Sequence, residues 1–393
     1  MVVNVRRRFR IMFNVYKKSN VKKNLRILCL FAAVCAISIC FFNRKKHVIK
    51  LATSKQYTSD LSCLLKDARD TQTRLITFLD SLKLKYKNAV VIDPGIKQIS
   101  TIQQLLAMRH NNDASKITDY ARATIGVENL YYVYCCLEAI KASSFKIVSI
   151  HDNFSKPYPN KYRDINIVVR DSVNNHLGEI QINTLANLSY KKEKGYELFD
   201  KVRNLKFKAH QEKRALSESE NQSINSLMQE QIKGNNNAFG GSMKHNDKML
   251  RVGVYGVLIN NRNEVLMVQE QSGSKIIYNF PGGGVDHHEG LADALTRECY
   301  EEISVDVKVK DLLYSTKDVY INKEFPDNYS FALYYTIDVQ DQTSIKNGTW
   351  FHINNLPVQE MLPIDQEFAS FLQARLGVPQ VDPIVKASLA ESY

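Results

Sequence analysis

The chain has 393 residues, enough for two or three domains, and carries 53 Lys and Arg against 41 Asp and Glu, a formal net charge of +12. The excess is local: residues 1–50 hold thirteen Lys and Arg and no acid, which leaves 40 basic against 41 acidic residues in the rest. The folded part therefore gives no global electrostatic case for binding DNA or RNA. The seven cysteines show no paired framework, which favours a reducing compartment.

The basic stretch surrounds residues 27–43 (ILCLFAAVCAISICFFN), seventeen residues without a charge. This predicts a single-pass membrane helix near the lower length limit. A cleaved signal peptide or a buried or interfacial helix are the alternatives, although no small-x-small site leads cleanly out of the run. Nine Lys and Arg precede the run and four follow it, which favours the bulk of the chain outside. Both flanks are basic, so the rule has modest force and the side of the membrane stays open.

Residues 57–86 predict a helix with Leu61, Leu64, Leu65, Ala68, Leu75, Phe78 and Leu82 on its apolar side. Pro94-Gly95 breaks it, and a second helix runs through Leu106. A strand over ITDYARATIGV from Ile117, a helix over 130–143, strands beginning at Phe145, Asp164 and Gly178, and a helix over 190–203 follow. The alternation implies an α/β domain over residues 51–210.

Within it, Asp119-Tyr-Ala-Arg, then Asn160-Lys-Tyr-Arg-Asp-Ile-Asn166, then Glu179-Ile-Gln-Ile-Asn-Thr184 resemble, in order and spacing, the RelA/SpoT synthetase domain, with Lys194-Gly-Tyr-Glu-Leu-Phe as its trailing helix motif. The resemblance implies a nucleotidyltransferase-like fold that transfers pyrophosphate from ATP to a nucleotide or tRNA acceptor. It implies Asp119 and Glu179 as Mg²⁺ ligands, Tyr162 as the residue stacking on the acceptor base, and Lys97 or Arg109 as the basic ATP-binding group. Lys161 replaces the usual Gly, Asn166 the usual His, Asn183 the usual Arg, and Tyr196 a common His. These departures leave a nucleotide-binding or scaffold domain as the alternative to an active synthetase.

Residues 211–247 begin as a charged helix and then read as a flexible connection, through Gly234-Asn-Asn-Asn237 and Gly240-Gly-Ser242. Strands are expected over RVGVYGVLIN from Arg251, EVLMVQE from Glu264 and SFALYYTIDV from Ser330. Between them Asn279-Phe-Pro281 and three glycines read as a strand end entering a tight loop. Leu291, Leu295, Cys299 and Ile303 then mark a helix. Glu298, Glu301 and Glu302 cluster on one side of it, and Glu302 falls inside the apolar arc. A carboxylate turned toward a core is costly without a cation or strong hydrogen bonds. Oxygen-only ligands point to a hard cation such as Mg²⁺ or Mn²⁺. Cys299 reads as a core residue rather than a nucleophile.

The spacing Gly283, Glu289, Arg297-Glu298, Glu301-Glu302 resembles the signature of the Nudix hydrolases, over residues 248–376, with a tail at 377–393. The expected fold is α/β: a membrane helix, a RelA/SpoT-like α/β domain, then a Nudix α/β/α sandwich. The resemblance implies cleavage of a nucleoside diphosphate derivative by water activated with a metal and a carboxylate. Gly283, Glu298, Glu301 and Glu302 would bind or organise the metal, and Arg297 and Glu289 would orient the loop–helix unit. Glu324, Asp327 and Glu367 are candidate bases, and Ser304 departs from the usual Gly. Expected partners are a nucleotide-derived substrate, the membrane through 27–43, and a nucleotide or tRNA acceptor at the middle domain. A two-activity alarmone-type enzyme and an inactive membrane-bound nucleotide sensor are the alternatives. The combination suits a bacterial protein, an exported one included.

Overall fold

A computed structural model describes residues 54–110, 112–245, 248–272, 274–286, 288–321 and 328–376. The apolar run at 27–43, the candidate bases Glu324 and Asp327, and the tail lie outside the described residues. Among the described residues no helix is long and apolar enough to cross a membrane.

Helix α1 (Leu61–Lys83) starts on Asp60, whose carboxylate accepts the amides of Ser62 and Cys63, and it buries Leu64, Ala68, Leu75, Leu79 and Leu82 at helical spacing. It packs on a mixed sheet of order β1-β2-β5-β4-β3, made of β1 (Val90–Ile92), β2 (Ala121–Val127), β3 (Lys146–Asp152), β4 (Ile165–Arg170) and β5 (Leu177–Thr184). β2 and β5 run parallel and every other pair is antiparallel. Helices α2 (Ile99–Arg109), α3 (Leu130–Lys141), α4 (Leu185–Tyr190) and α5 (Tyr196–Gln211) complete this half. The helix expected over 190–203 begins earlier, at Leu185, and passes through a π-helical stretch at Lys191–Gly195.

His176 lies between β4 and β5, fully buried, with neither ring nitrogen hydrogen-bonded. Burial lowers its pKa from 6.5 to about 4. A depressed folded-state pKa means stability present above the unfolded value and lost as pH falls through the folded one. We therefore expect acidification from pH 7 to 4.5 to cost wild type about 2–3 kcal/mol more than His176→Phe. Urea titrations at the two pH values check this; equal losses would remove His176 as the cause.

The segment read as a flexible connection is instead helix α6 (Glu218–Ser242). Ser217 accepts the Glu220 amide and the Glu220 carboxylate accepts the Ser217 amide, a reciprocal cap. Two of its glycines, Gly234 and Gly241, serve close packing. A Cβ on Gly234 would sit 2.1 Å from the Tyr190 ring, and one on Gly241 would sit 3.2 Å from Ala186 Cβ. The two glycines are seven residues apart, on one helix face, where α6 crosses α4.

Beyond α6, β6 (Lys244–His245) leads into β7 (Lys248–Val257), and a six-stranded sheet forms along β10-β7-β13-β11, with β12 (Tyr320–Ile321) on β13 and β6 on β7. Its other members are β10 (Gly282–Gly284), β11 (Val307–Ser315) and β13 (Asn328–Val339). The three glycines are thus a short strand and not a loop, with Gly283 opposite Val254. A second sheet joins β14 (Gly348–His352), β8 (Glu264–Ser272) and β9 (Lys275–Asn279). Side chains alternate along β13: Phe331, Leu333, Tyr335 and Ile337 face the core that holds helix α7 (Leu291–Ile303), while Ala332 and Tyr334 face helix α8 (Pro363–Leu376).

The two halves share one hydrophobic core. Leu64, Ile125 and Ile180 of the first belong to the same cluster as Phe239, Val252, Leu295 and Leu333. Polar groups cross the boundary too: Tyr134 Oη, held by a donation to Asp152 Oδ2 (2.8 Å) within the first half, lies 3.4 Å from Tyr335 Oη, and Asn129 Nδ2 is 3.1 Å from His245 Nδ1.

Candidate functional site

Helix α7 carries the acidic residues, and β10 runs beside it. Its amphipathic pattern buries Leu291, Ala294, Leu295, Cys299 and Ile303, the helix expected from the sequence. Burial raises the Cys299 thiol to about 12, which fits a core residue. Ser304 ends the helix at φ 59°, and its amide donates to the Tyr300 carbonyl. That left-handed conformation is the one glycine adopts without cost, so serine there costs about 1 kcal/mol.

Arg297 is the organiser. Nη2 donates to Glu289 Oε1 (2.7 Å) and to the Gly284 carbonyl (3.1 Å), and Nη1 donates to Glu298 Oε1 (2.7 Å). Glu289 and Glu298 hold the guanidinium pKa well above its ordinary value. Glu289 Oε1 also accepts the Asp286 amide at 2.9 Å, so one carboxylate ties loop to helix. Gly283 stands against Glu298: a Cβ there would lie 2.6 Å from the carboxylate carbon, so only glycine lets the strand approach it. Glu302 Oε2 accepts the Gly282 amide at 2.9 Å. Burial, then the neighbouring Glu298, Glu270 and Glu301, push the Glu302 pKa up to about 7, against the pull of the Gly282 amide. Glu301 is the exposed member, its side chain 59% accessible and 3.6 Å from Arg297 Nη1.

The expected metal set is thus together on one loop–helix unit, with Glu298 turned to Arg297 and Glu302 turned to Gly282. Among the described residues no three Asp, Glu, His or Cys side chains converge on one point in a metal-holding group. Glu270, which the sequence reading passed over, is the third acid beside Glu302, and Asn279 Nδ2 donates to it at 2.9 Å. Glu367 accepts the Tyr314 and Tyr320 hydroxyls and the Lys317 amide (3.1 Å), which anchors α8 to the segment after β11.

The middle-domain candidates also meet. Lys97 Nζ donates to Asp119 Oδ2, in an ion pair where only 8% of the lysine side chain is exposed. Burial raises the Glu179 pKa, and Asp119 adds to the rise. Gln181 Nε2 donates to Glu179 Oε1 (3.0 Å) and also lines a cavity of about 400 Å³ with Tyr158, Tyr162, Asn166, Lys191 and Tyr196. Tyr162 Oη donates to Asp164 Oδ2 (3.1 Å) and accepts from Asn183 Nδ2 (2.8 Å) and Lys191 Nζ (3.2 Å). Burial and Asp164 raise its pKa well above 10. The Arg109 side chain lies outside the described residues. Gln231 and Asn235 of α6 close the same cavity, a contribution hidden because that segment read as a linker.

The family model described as NUDIX domain matches residues 249–372. The C-terminal part of the chain is a NUDIX domain. Among curated proteins, Nudix hydrolase 2 of Arabidopsis thaliana is 39% identical over 66 residues, 16% of this chain and 24% of that one. The NAD-capped RNA hydrolase NudC of Stutzerimonas stutzeri (strain A1501) is 27% identical over 135 residues, 32% of this chain and 45% of that one. The chain thus spans less than half the length of either curated relative. Among solved structures, the small alarmone synthetase 2 from Bacillus subtilis is 17% identical, with a TM-score of 0.35 over 46% of this chain and 92% of that one. The NUDIX match marks a hydrolase domain of the type that acts on pyrophosphate bonds.

Proposed function

We propose that the NUDIX domain cleaves a phosphoanhydride within a nucleoside diphosphate derivative, using a divalent cation, Mg²⁺ or Mn²⁺. The observation that carries this is the clamp in which Arg297 joins Glu289, Glu298 and the Gly284 carbonyl while Glu302 is buried beside three other acids. The donor set fits a hard cation: carboxylates of Glu298, Glu301 and Glu302 and the Gly283 backbone, all oxygen, with a net negative charge that a cation would neutralise. Bound there, the cation would polarise the phosphate and lower the pKa of a water. The residues themselves hold the loop against the helix, keep Glu298 oriented through Arg297, and fix Glu302 through the Gly282 amide.

The first half, by its resemblance to the RelA/SpoT domain, is proposed to bind a nucleotide in the cavity beside Tyr162, with Lys97, Asp119 and Glu179 at its phosphate end. Pyrophosphoryl transfer is the reading to test there, and attachment to a membrane through residues 27–43 completes the proposal. The NudC likeness makes NAD-capped RNA one member of the substrate panel.

The test uses the full chain with Mg²⁺ on NAD, NAD-capped RNA, ADP-ribose and guanosine polyphosphates. Hydrolysis of at least one, abolished by chelator and restored by Mg²⁺, is expected. No turnover of any would reject the hydrolase reading. Labelled ATP with GDP, GTP or tRNA asks whether label reaches the acceptor in a Glu179-dependent way; unlabelled acceptors throughout would leave binding alone for the first half.

A further inference from the structure

The N-terminus of α7 has no side-chain cap: Gly290 occupies the cap position and offers none. The first amides of a helix need acceptors. Here they come from the other half of the chain, where Leu291 N donates to the Phe154 carbonyl (3.2 Å) and Ala292 N to the Ser155 carbonyl (3.1 Å). Those carbonyls are themselves fixed. Phe154 N and Ser155 N donate to Asp152 Oδ1 at 2.9 and 3.0 Å, and Tyr134 holds the other Asp152 oxygen. The approach leaves no room for a side chain, since a Cβ on Gly290 would lie 2.6 Å from Pro157 Cδ and 2.7 Å from the Ser155 oxygen.

The same loop between β3 and β4 supplies Arg163, only 1% exposed. Its Nη2 donates to the Glu289 carbonyl (3.3 Å), and its Nη1 donates to the Lys161 carbonyl (3.0 Å) and to Asn236 Oδ1 (3.3 Å). Its guanidinium lies 4.1 Å from the centroid of the Phe239 ring. Burying a guanidinium is expensive, and this one is aimed at the main chain of the residue whose carboxylate holds Arg297. We propose that Arg163 and the Phe154 and Ser155 carbonyls, from the first half, position the NUDIX loop–helix unit, with Arg163 a positioning residue for hydrolysis. This rests on the hydrolase reading above. It implies that the hydrolase site is built by both halves, and that the force holding Glu289 passes to Glu298 through Arg297.

The experiment compares full-length wild type with Arg163→Met, Arg163→Lys and Gly290→Ala. It measures kcat and KM with Mg²⁺ on the best substrate, and amide exchange of peptides covering residues 286–297 and 363–376. Misplacement of a catalytic group by about 1 Å costs on the order of 100-fold in rate. We expect Arg163→Met and Gly290→Ala to lower kcat about tenfold or more with KM within about threefold, and to raise exchange in 286–297 but not in 363–376. Arg163→Lys should recover part of the loss. Retention of both kcat and first-turn protection within about twofold in both variants would overturn the proposal, as would equal loss of protection in the two peptides, which marks general destabilisation. If Arg163→Met does not fold, Gly290→Ala decides by the same criteria. If wild type turns over no substrate, the hydrolase reading has failed, and exchange in 286–297 still decides whether this loop holds the helix.

Discussion

Glu302→Gln is expected to abolish most hydrolysis while making the metal-free protein more stable. The carboxylate is mostly buried, and Glu298, Glu270 and Glu301 all disfavour its charge. An amide of the same shape removes that repulsion and still accepts the Gly282 N–H, so stability should rise by about 1–2 kcal/mol after allowance for its partial exposure. Activity should move the other way. A neutral amide cannot help neutralise a cation or accept a proton, and losses on the order of 10²–10⁴-fold in kcat follow removal of such groups. Denaturant midpoints without metal and kcat with Mg²⁺ make the pair of measurements. A destabilised variant would mean that the Glu302 charge is compensated by something other than a bound cation; full activity would remove Glu302 from the site.

Gly282→Ala and Gly283→Ala should fail in different ways although the residues are neighbours. Gly282 has φ 144°, and a Cβ there would lie 2.1 Å from the Val254 oxygen and 2.8 Å from Tyr255 Cα. Both are backbone atoms of the central strand β7, which cannot give way without breaking the β7–β10 pairing. A loss of about 3 kcal/mol or more is expected, with the Gly282–Glu302 hydrogen bond lost as well. At Gly283 the obstacle is the Glu298 carboxylate, 2.6 Å away, which can swing aside. That variant should stay folded within about 1 kcal/mol and lose activity, because Glu298 leaves its place beside Arg297. Urea midpoints and kcat on both variants check the contrast. A folded, stable Gly282→Ala would show that β10 tolerates a side chain, and an active Gly283→Ala would show that the strand need not approach Glu298 so closely.

Much of the NUDIX site was legible because its signals are local. Leu291, Leu295, Cys299 and Ile303 define the helix by their spacing alone, and the observed bounds are Leu291–Ile303. The position of Glu302 in the apolar arc anticipated its burial. What escaped the sequence depended on distant contacts. Gly234 and Gly241 read as flexible because the ring of Tyr190, which excludes a side chain at Gly234, and the methyl group of Ala186, which crowds Gly241, lie some fifty residues away in the chain. The glycines 282–284 read as a loop because their partners on β7 lie far upstream. Arg163 stood inside a motif already singled out, yet no periodicity tells which way a loop arginine points. The resemblance marked Ser304 as a departure from the usual Gly, and its φ of 59° supplies the physical reason that the position favours glycine. The basic N-terminal segment carries the excess charge of the chain, so the balanced remainder shows none of the patterning that would have marked the face joining the two halves.

The continuous core has a consequence for how the molecule comes apart. Two modules joined by a loose tether melt separately, each with its own midpoint. Here Phe239 of α6, Leu295 of α7 and Ile180 of β5 belong to one apolar cluster, so neither half keeps a closed interior without the other. Cutting between α5 and α6 would leave both fragments with bare apolar faces, and they would behave as complementing pieces of a single cooperative unit rather than as two independent enzymes.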